Sequence, residues 1–247
     1  MTGKTKARIV ALRIWVRRRD KRVMRLCAAA VGMRLRNGGG DQSEAEAIKS
    51  IRTEEKIFAM TVVVTGDEKT ADLEALAALC GDFGVSPTYF VTPDWAEDHA
   101  SLCAKLTAKG GALGLYLEDS LRGKSRGAVL KYVSEENEHF YDTLGQYPRY
   151  VRASDGGTGT LSSVLDSFGQ YLLAAGCTIG PAECPAIQSG DIAEVREVDE
   201  SCLRNVISAT AAAIGGGISP IAMKSFLYTF GSPVDAAGRQ YESDTLT

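Results

Sequence analysis

The chain reads as an α/β protein built of repeated strand-helix units, preceded by a basic extension. Three observations predict this. From Ile57 to about Phe230, short β-branched apolar runs alternate with longer segments whose apolar residues recur at helical spacing. Glycine or proline punctuates almost every junction. Charge is split: residues 1–36 hold 12 Lys or Arg and one acid, Asp20, whereas residues 37–247 hold 16 Lys or Arg and 30 acids. Alternation at this spacing implies parallel strands joined by right-handed crossovers, in either a barrel or an open doubly wound sheet.

The arm over 1–36 mixes its charge with Ile9, Val10, Leu12, Ile14, Trp15 and Val16. A solvated tail, a helix lying on an anionic membrane surface, and a nucleic-acid-binding arm all fit that composition. Nucleic acid is disfavoured, because no recognised binding fold follows. The uncharged run Leu26–Met33 is too short to span a bilayer, which takes roughly 20 residues, and it makes a poor signal peptide. Residues 37–56 read as a linker opened by Asn37-Gly-Gly-Gly40, with a short helix over 44–52.

Ile57 to Val64 is predicted as a buried strand. Thr70 to Phe83 is a helix with Leu73, Leu76, Leu79, Cys80 and Phe83 on one face, stopped by Gly84. Thr88 to Val91 is the next strand. Asp94 and Glu97 stand as a capping box for one helix running to Lys109. Ala112–Leu117 is a third strand, Ser125–Leu144 a long helix and Arg149–Ala153 a fourth strand. Leu161 to Leu172 is read as a helix, 177–179 as a short strand and 199–214 as a helix. The stretch 181–198 fits no single pattern. Ile221 to Tyr228 is read as the last strand, and residues 231–247 as a polar tail.

The two histidines constrain the chemistry. His99 and His139 both fall inside predicted helices, whereas such folds place reacting groups where strands end. His99 is expected to pack beside Trp95, and His139 to make at best a surface pair with Glu135. Nucleophilic triads that need a histidine are therefore disfavoured. The six cysteines contain no CxxC pair, so a structural zinc site is not expected. Cys177 and Cys184 are read as thiols, with a bridge across their loop as the alternative. The triple-glycine runs at 38–40 and 215–217 lack the setting of a phosphate loop.

Four stretches in order, Val64-Thr-Gly-Asp-Glu68, Pro87-Thr-Tyr-Phe-Val-Thr92, Gly110-Gly-Ala-Leu-Gly114 and Gly145-Gln-Tyr-Pro-Arg-Tyr-Val-Arg152, resemble the motifs of the polysaccharide deacetylase (NodB homology) family. The resemblance covers about a hundred residues, 61–156, and fades beyond Gly176. It implies a distorted (β/α) barrel over 57–230 and a metal-assisted hydrolysis of N-acetyl sugars, with cell-wall glycan as partner and a membrane-associated or envelope location. By the same resemblance Asp67 stands at the catalytic base, Glu68 at a metal ligand, and Arg152 at the arginine that orients the base. Tyr116 and Ser120 stand at the two metal-binding histidine positions. A phenol or an aliphatic hydroxyl is a poor ligand for zinc where imidazole is a good one, so loss of the zinc site and of catalysis is expected.

What remains is an acidic rim: Asp67, Glu68, Glu118, Asp119 and Asp155 all fall just beyond predicted strands. It admits three readings. In the first it is a solvated edge with Arg152 paired to Asp67. In the second it is an oxygen-only site for Mg²⁺ or Ca²⁺. In the third it is a sugar-binding groove lined by Tyr116, Glu118, Asp119 and Asp155 together with Arg152. No cofactor is the first expectation, and a divalent metal (Zn²⁺, or Mg²⁺ or Ca²⁺ at the rim) the alternative. An active C–N hydrolase rebuilt around Asp67, Glu68 and Arg152 is the rival to a non-catalytic domain.

Overall fold

The computed structural model describes residues 47–229 and 232–235. The arm over 1–36, the glycines at 38–40 and the last twelve residues lie outside the described residues. In chain order the strands are β1 (Ile48–Arg52), β2 (Ile57–Val63), β3 (Thr88–Val91), β4 (Ala112–Leu117), β5 (Tyr150–Ala153), β6 (Tyr171–Leu172), β7 (Cys177–Ile179), β8 (Ile192–Val195), β9 (Ser219–Pro220) and β10 (Ser232–Asp235). The helices are α1 (Thr70–Asp82), α2 (Pro93–Asp98), α3 (Ala100–Ala108), α4 (Arg126–Leu144), α5 (Gly159–Asp166), α6 (Glu200–Gly215) and α7 (Met223–Thr229).

The main sheet is parallel, in the order β6-β5-β4-β3-β2-β8-β7, with β9 pairing β2 beside this path. Chain length decides between a barrel and an open sheet. Only residues 173–176 join edge strand β6 to the opposite edge strand β7. Five extended steps span at most about 18 Å, whereas a flat sheet of seven strands would hold its edges about 29 Å apart. The sheet therefore curls, and β1 fills the gap with isolated bridges Ile48 to Leu173 and Ser50 to Asp191.

The period of two along each strand then divides the core into two layers. On β2 the residues Phe58, Met60 and Val62, with Val64 just beyond its end, pack under the helices, together with Leu115, Val151, Ala193 and Leu76. Ile57, Ala59 and Val63 face into the barrel, with Phe90, Tyr116, Tyr150 and Ile192. β1 and α7 plug this interior through Ile48, Ile51, Met223, Phe226 and Leu227.

Several sequence expectations are corrected. Ile48–Arg52 is a strand, not the end of a helix. Ile48 and Ile51 are both buried at a spacing of three, which reads as helical, but a β-bulge between Ile48 and Ser50 brings both to one face. Ile221 to Tyr228 is not a strand: Met223, Phe226 and Leu227 are buried at i, i+3 and i+4, and the run is helical from Met223. The helix before β6 ends at Asp166, and Leu172 belongs to β6. The predicted helix over 94–109 is broken at His99, and its cap is Thr92, whose Oγ1 accepts the Trp95 N–H at 3.2 Å beside Pro93. The unassigned stretch 181–198 contains β8, which lies next to β2 near one end of the sheet.

Candidate functional site

Arg152 points inward from β5, and alternation leaves it no choice, since its neighbours Val151 and Ala153 belong to the helix side. Its guanidinium crosses the barrel and forms an ion pair through Nη1 with Glu194 of β8. Nη2 stands 3.5 Å from Thr61 Oγ1 on β2. The guanidinium carbon lies 5.4 Å from the centre of the Phe90 ring, a cation–π arrangement. That ring has room to lie there because Gly114 opposes it: a Cβ at Gly114 would come within 2.7 Å of Phe90 and 3.0 Å of the Tyr150 carbonyl oxygen.

Glu194 has two cationic partners. Arg196, two residues on and just past the end of β8, closes back onto Glu194 through Nε. The side chains of Arg152 and Glu194 are 2% and 1% exposed, whereas that of Arg196 is 43% exposed. Burial holds the Arg152 guanidinium below the ordinary arginine range, at about 9, and the charge of Arg196 pushes the same way. Arg152 is still protonated at neutral pH. The arrangement is thus a ladder of cation, anion and cation rising from the barrel interior to its mouth. Burial also pushes the Tyr116 phenol up, against the pull of Arg196, so its hydroxyl keeps its proton.

The acidic residues singled out in the sequence occupy the strand ends but do not converge. Asp67 is exposed and forms no hydrogen bond or ion pair with the described residues. Arg152 is therefore not paired to Asp67, as the sequence suggested, but to Glu194. Glu68 is engaged by its own loop: its carboxylate accepts the Thr65 N–H at 3.1 Å, the Gly66 N–H at 3.1 Å and the Thr65 hydroxyl at 3.1 Å. Asp155 accepts the Ser120 hydroxyl at 2.8 Å, the Gly157 N–H at 2.8 Å and the Leu121 N–H at 3.1 Å, with Arg122 Nε at 4.0 Å. Partial burial raises its pKa, but these hydrogen bonds and Arg122 outweigh burial and hold the carboxyl below its usual range. Glu118 and Asp119 are exposed, and the Glu118 carbonyl accepts the Ser154 hydroxyl at 2.6 Å.

A divalent metal does not fit this donor set. Glu68 and Ser120 are engaged by their own surroundings, and Tyr116 is a neutral phenol. Among the described residues, no three His, Cys, Asp or Glu side chains are grouped to hold a metal ion. The His99 ring stacks on Trp95 with centroids 4.4 Å apart and its Nδ1 lies 2.9 Å from the Trp95 carbonyl oxygen. His139 lies 3.6 Å from Asp94 and 3.7 Å from Glu97 across a helix pair, and Glu135 pairs with Lys131 instead. The five cysteines among the described residues, Cys177 and Cys184 included, are free thiols.

A parallel sheet of this order, curled round a polar mouth, has counterparts among solved structures. One is a family 4 carbohydrate esterase pseudoenzyme from Bacillus anthracis, with a TM-score of 0.64 and 14% identity over 76% of this chain and 70% of that one. The chain has the polysaccharide-deacetylase fold. A family 4 carbohydrate esterase from Bacillus subtilis matches at 0.62 and 16% identity over 74% and 85% of the two chains. A peptidoglycan deacetylase from Bacillus subtilis matches at 0.57 and 11% over 71% and 92%. No protein-family model matches the sequence, and no curated protein matches it.

Within the deacetylase fold, sequence reasoning found Arg152 but missed Glu194 and Arg196. The available signal was Ile192, Glu194 and Arg196 at alternate positions, which puts a carboxylate and a guanidinium on one face of a strand otherwise made of Ile, Ala and Val.

Proposed function

We propose that this chain is a divergent polysaccharide-deacetylase-like domain that does not hydrolyse N-acetyl groups and instead binds glycan, or serves as a scaffold, at the cell envelope. One observation carries the reading. The guanidinium at the position of the base-orienting arginine is committed to Glu194, while Asp67 stands apart in solvent. An exposed carboxylate with no partner among the described residues has nothing in them to orient it as a base towards a bound substrate. Tyr116 and Ser120 at the histidine positions point the same way. A structural neighbour that is itself a pseudoenzyme indicates that this fold persists without the chemistry, and a neighbour that deacetylates peptidoglycan makes cell-wall glycan the first ligand class to test.

The test is retention on insoluble peptidoglycan and on immobilised chitooligosaccharide, run beside an acetate-release assay after zinc loading. Glycan retention without acetate release is expected. Acetate release that depends on Asp67 and Glu68 would instead establish the rival reading, a working C–N hydrolase with a rebuilt site. Membrane contact is assigned to residues 1–36, whose excess of basic over acidic residues suits an anionic surface. Among the described residues no helix is long and apolar enough to cross a membrane.

A further inference from the structure

We infer that the barrel mouth is a subsite for a sugar carboxylate, held by the outward guanidinium of Arg196 with the Tyr116 hydroxyl beside it. This rests on the glycan-binding reading and adds the ligand class. The starting point is charge. Two guanidinium groups, Arg152 and Arg196, share one carboxylate, Glu194, so the ladder carries an excess positive charge. The excess sits at the exposed end. Arg152 and Glu194 are sealed inside, while Arg196 is half exposed and spends only Nε on Glu194. Its two terminal nitrogens make no hydrogen bond with the described residues. Such a pair of parallel N–H donors matches the two oxygens of a planar carboxylate.

A further feature points to a ligand at the same place. Tyr116 lies within reach of the charges of Arg196 and Arg152 as well as of Glu118 and Glu68, and burial keeps its hydroxyl protonated and able to donate. The strand C-terminal ends are also where ligands enter parallel α/β folds.

The acidic rim does not override this. The Glu68 carboxylate is hydrogen-bonded to the Thr65 and Gly66 amides of its own loop, and that of Asp155 to Ser120, Leu121 and Gly157 with Arg122 at 4.0 Å, so both point their acceptors at partners already in place. Asp67, Glu118 and Asp119 remain, all in solvent, where screening acts over about 8 Å at physiological ionic strength. Their repulsion falls more heavily on a doubly charged phosphate than on a singly charged carboxylate. The chemistry selected is therefore a uronic acid or another carboxylate-bearing sugar, the reverse of the cation that the deacetylase mouth holds.

The experiment titrates the full chain with methyl glucuronide, which carries one carboxylate, with the neutral methyl glucoside, and with inorganic phosphate, and repeats each with Arg196→Gln and Arg196→Lys. Arg152 still pairs Glu194 in these variants, and thermal melts check that they fold. The expected result is a preference for the glucuronide over the neutral glucoside of at least tenfold, lost in Arg196→Gln and only partly restored by Arg196→Lys, with affinity falling as salt rises. Equal binding of the two glycosides, or no effect of Arg196→Gln, would overturn the carboxylate subsite and leave glycan binding standing. Phosphate competing as well as the glucuronide would overturn the choice of a singly charged planar anion. Failure to bind either glycoside, with no retention on peptidoglycan, would overturn both readings together.

Discussion

Arg152 and Glu194 meet where water does not reach, so each is tolerable only because the other is present. Removing one partner of such a pair leaves a charge in a low-dielectric interior, at a cost of about 3–5 kcal/mol. Glu194→Ala is expected to lower stability by that amount in urea unfolding. Replacing both, as in Arg152→Met with Glu194→Met, is expected to recover most of the loss, because two methionines bury no charge. If the single and double variants are equally unstable, Glu194 matters through packing instead. Asp155 offers a test by pH. Its folded-state pKa lies below the unfolded value of about 3.9. Its contribution is therefore complete above that value and is lost as pH falls through the folded one. Asp155→Asn should be less stable than wild type at pH 7, and the gap should close in acid below the usual carboxylate range. An offset unchanged by pH would mean that the amide replaces every bond the carboxylate makes.

At the scale of elements, the turn that seats β1 depends on Gly190. It adopts φ of +86°, and a Cβ there would come within 2.3 Å of the Ile51 carbonyl oxygen. The Gly190 carbonyl in turn accepts the Ile51 N–H at 2.8 Å. Gly190→Ala is expected to cost more than about 1 kcal/mol, because strain at positive φ adds to the clash. Calorimetry showing an unchanged Tm would place β1 outside the cooperative unit. The elements legible in the sequence were those whose pattern had one reading. β2 and β4 are continuous apolar runs, and α4 and α6 carry long helical periods. β1 and α7 were not legible because a bulge and a short apolar run imitate the wrong period. The same limit hid half of the candidate site. Arg152 lay in a motif, but Glu194 lay on a four-residue strand inside a stretch without periodicity, and only the β2–β8 pairing places Thr61 beside it.

Across the whole molecule, the short link between the two sheet edges forces the curl, and the curl brings β5 and β8 near enough for one arginine side chain to bridge them. No local pattern encodes that meeting, since 42 residues separate Arg152 from Glu194. The charge division of the chain belongs to this scale too. If residues 1–36 act at an anionic surface, the full chain should float with vesicles containing phosphatidylglycerol, and a chain lacking those residues should stay at the bottom of the gradient. Equal behaviour of the two would remove membrane contact. The central proposal is that Glu68, Tyr116 and Ser120, which the resemblance places at metal-ligand positions, do not form a metal site, Glu68 and Ser120 being hydrogen-bonded within their own surroundings. Zinc titration by calorimetry on the metal-free full chain tests it most directly. No saturable stoichiometric binding is expected; one zinc per chain at micromolar affinity or tighter, abolished by Glu68→Gln, would contradict it.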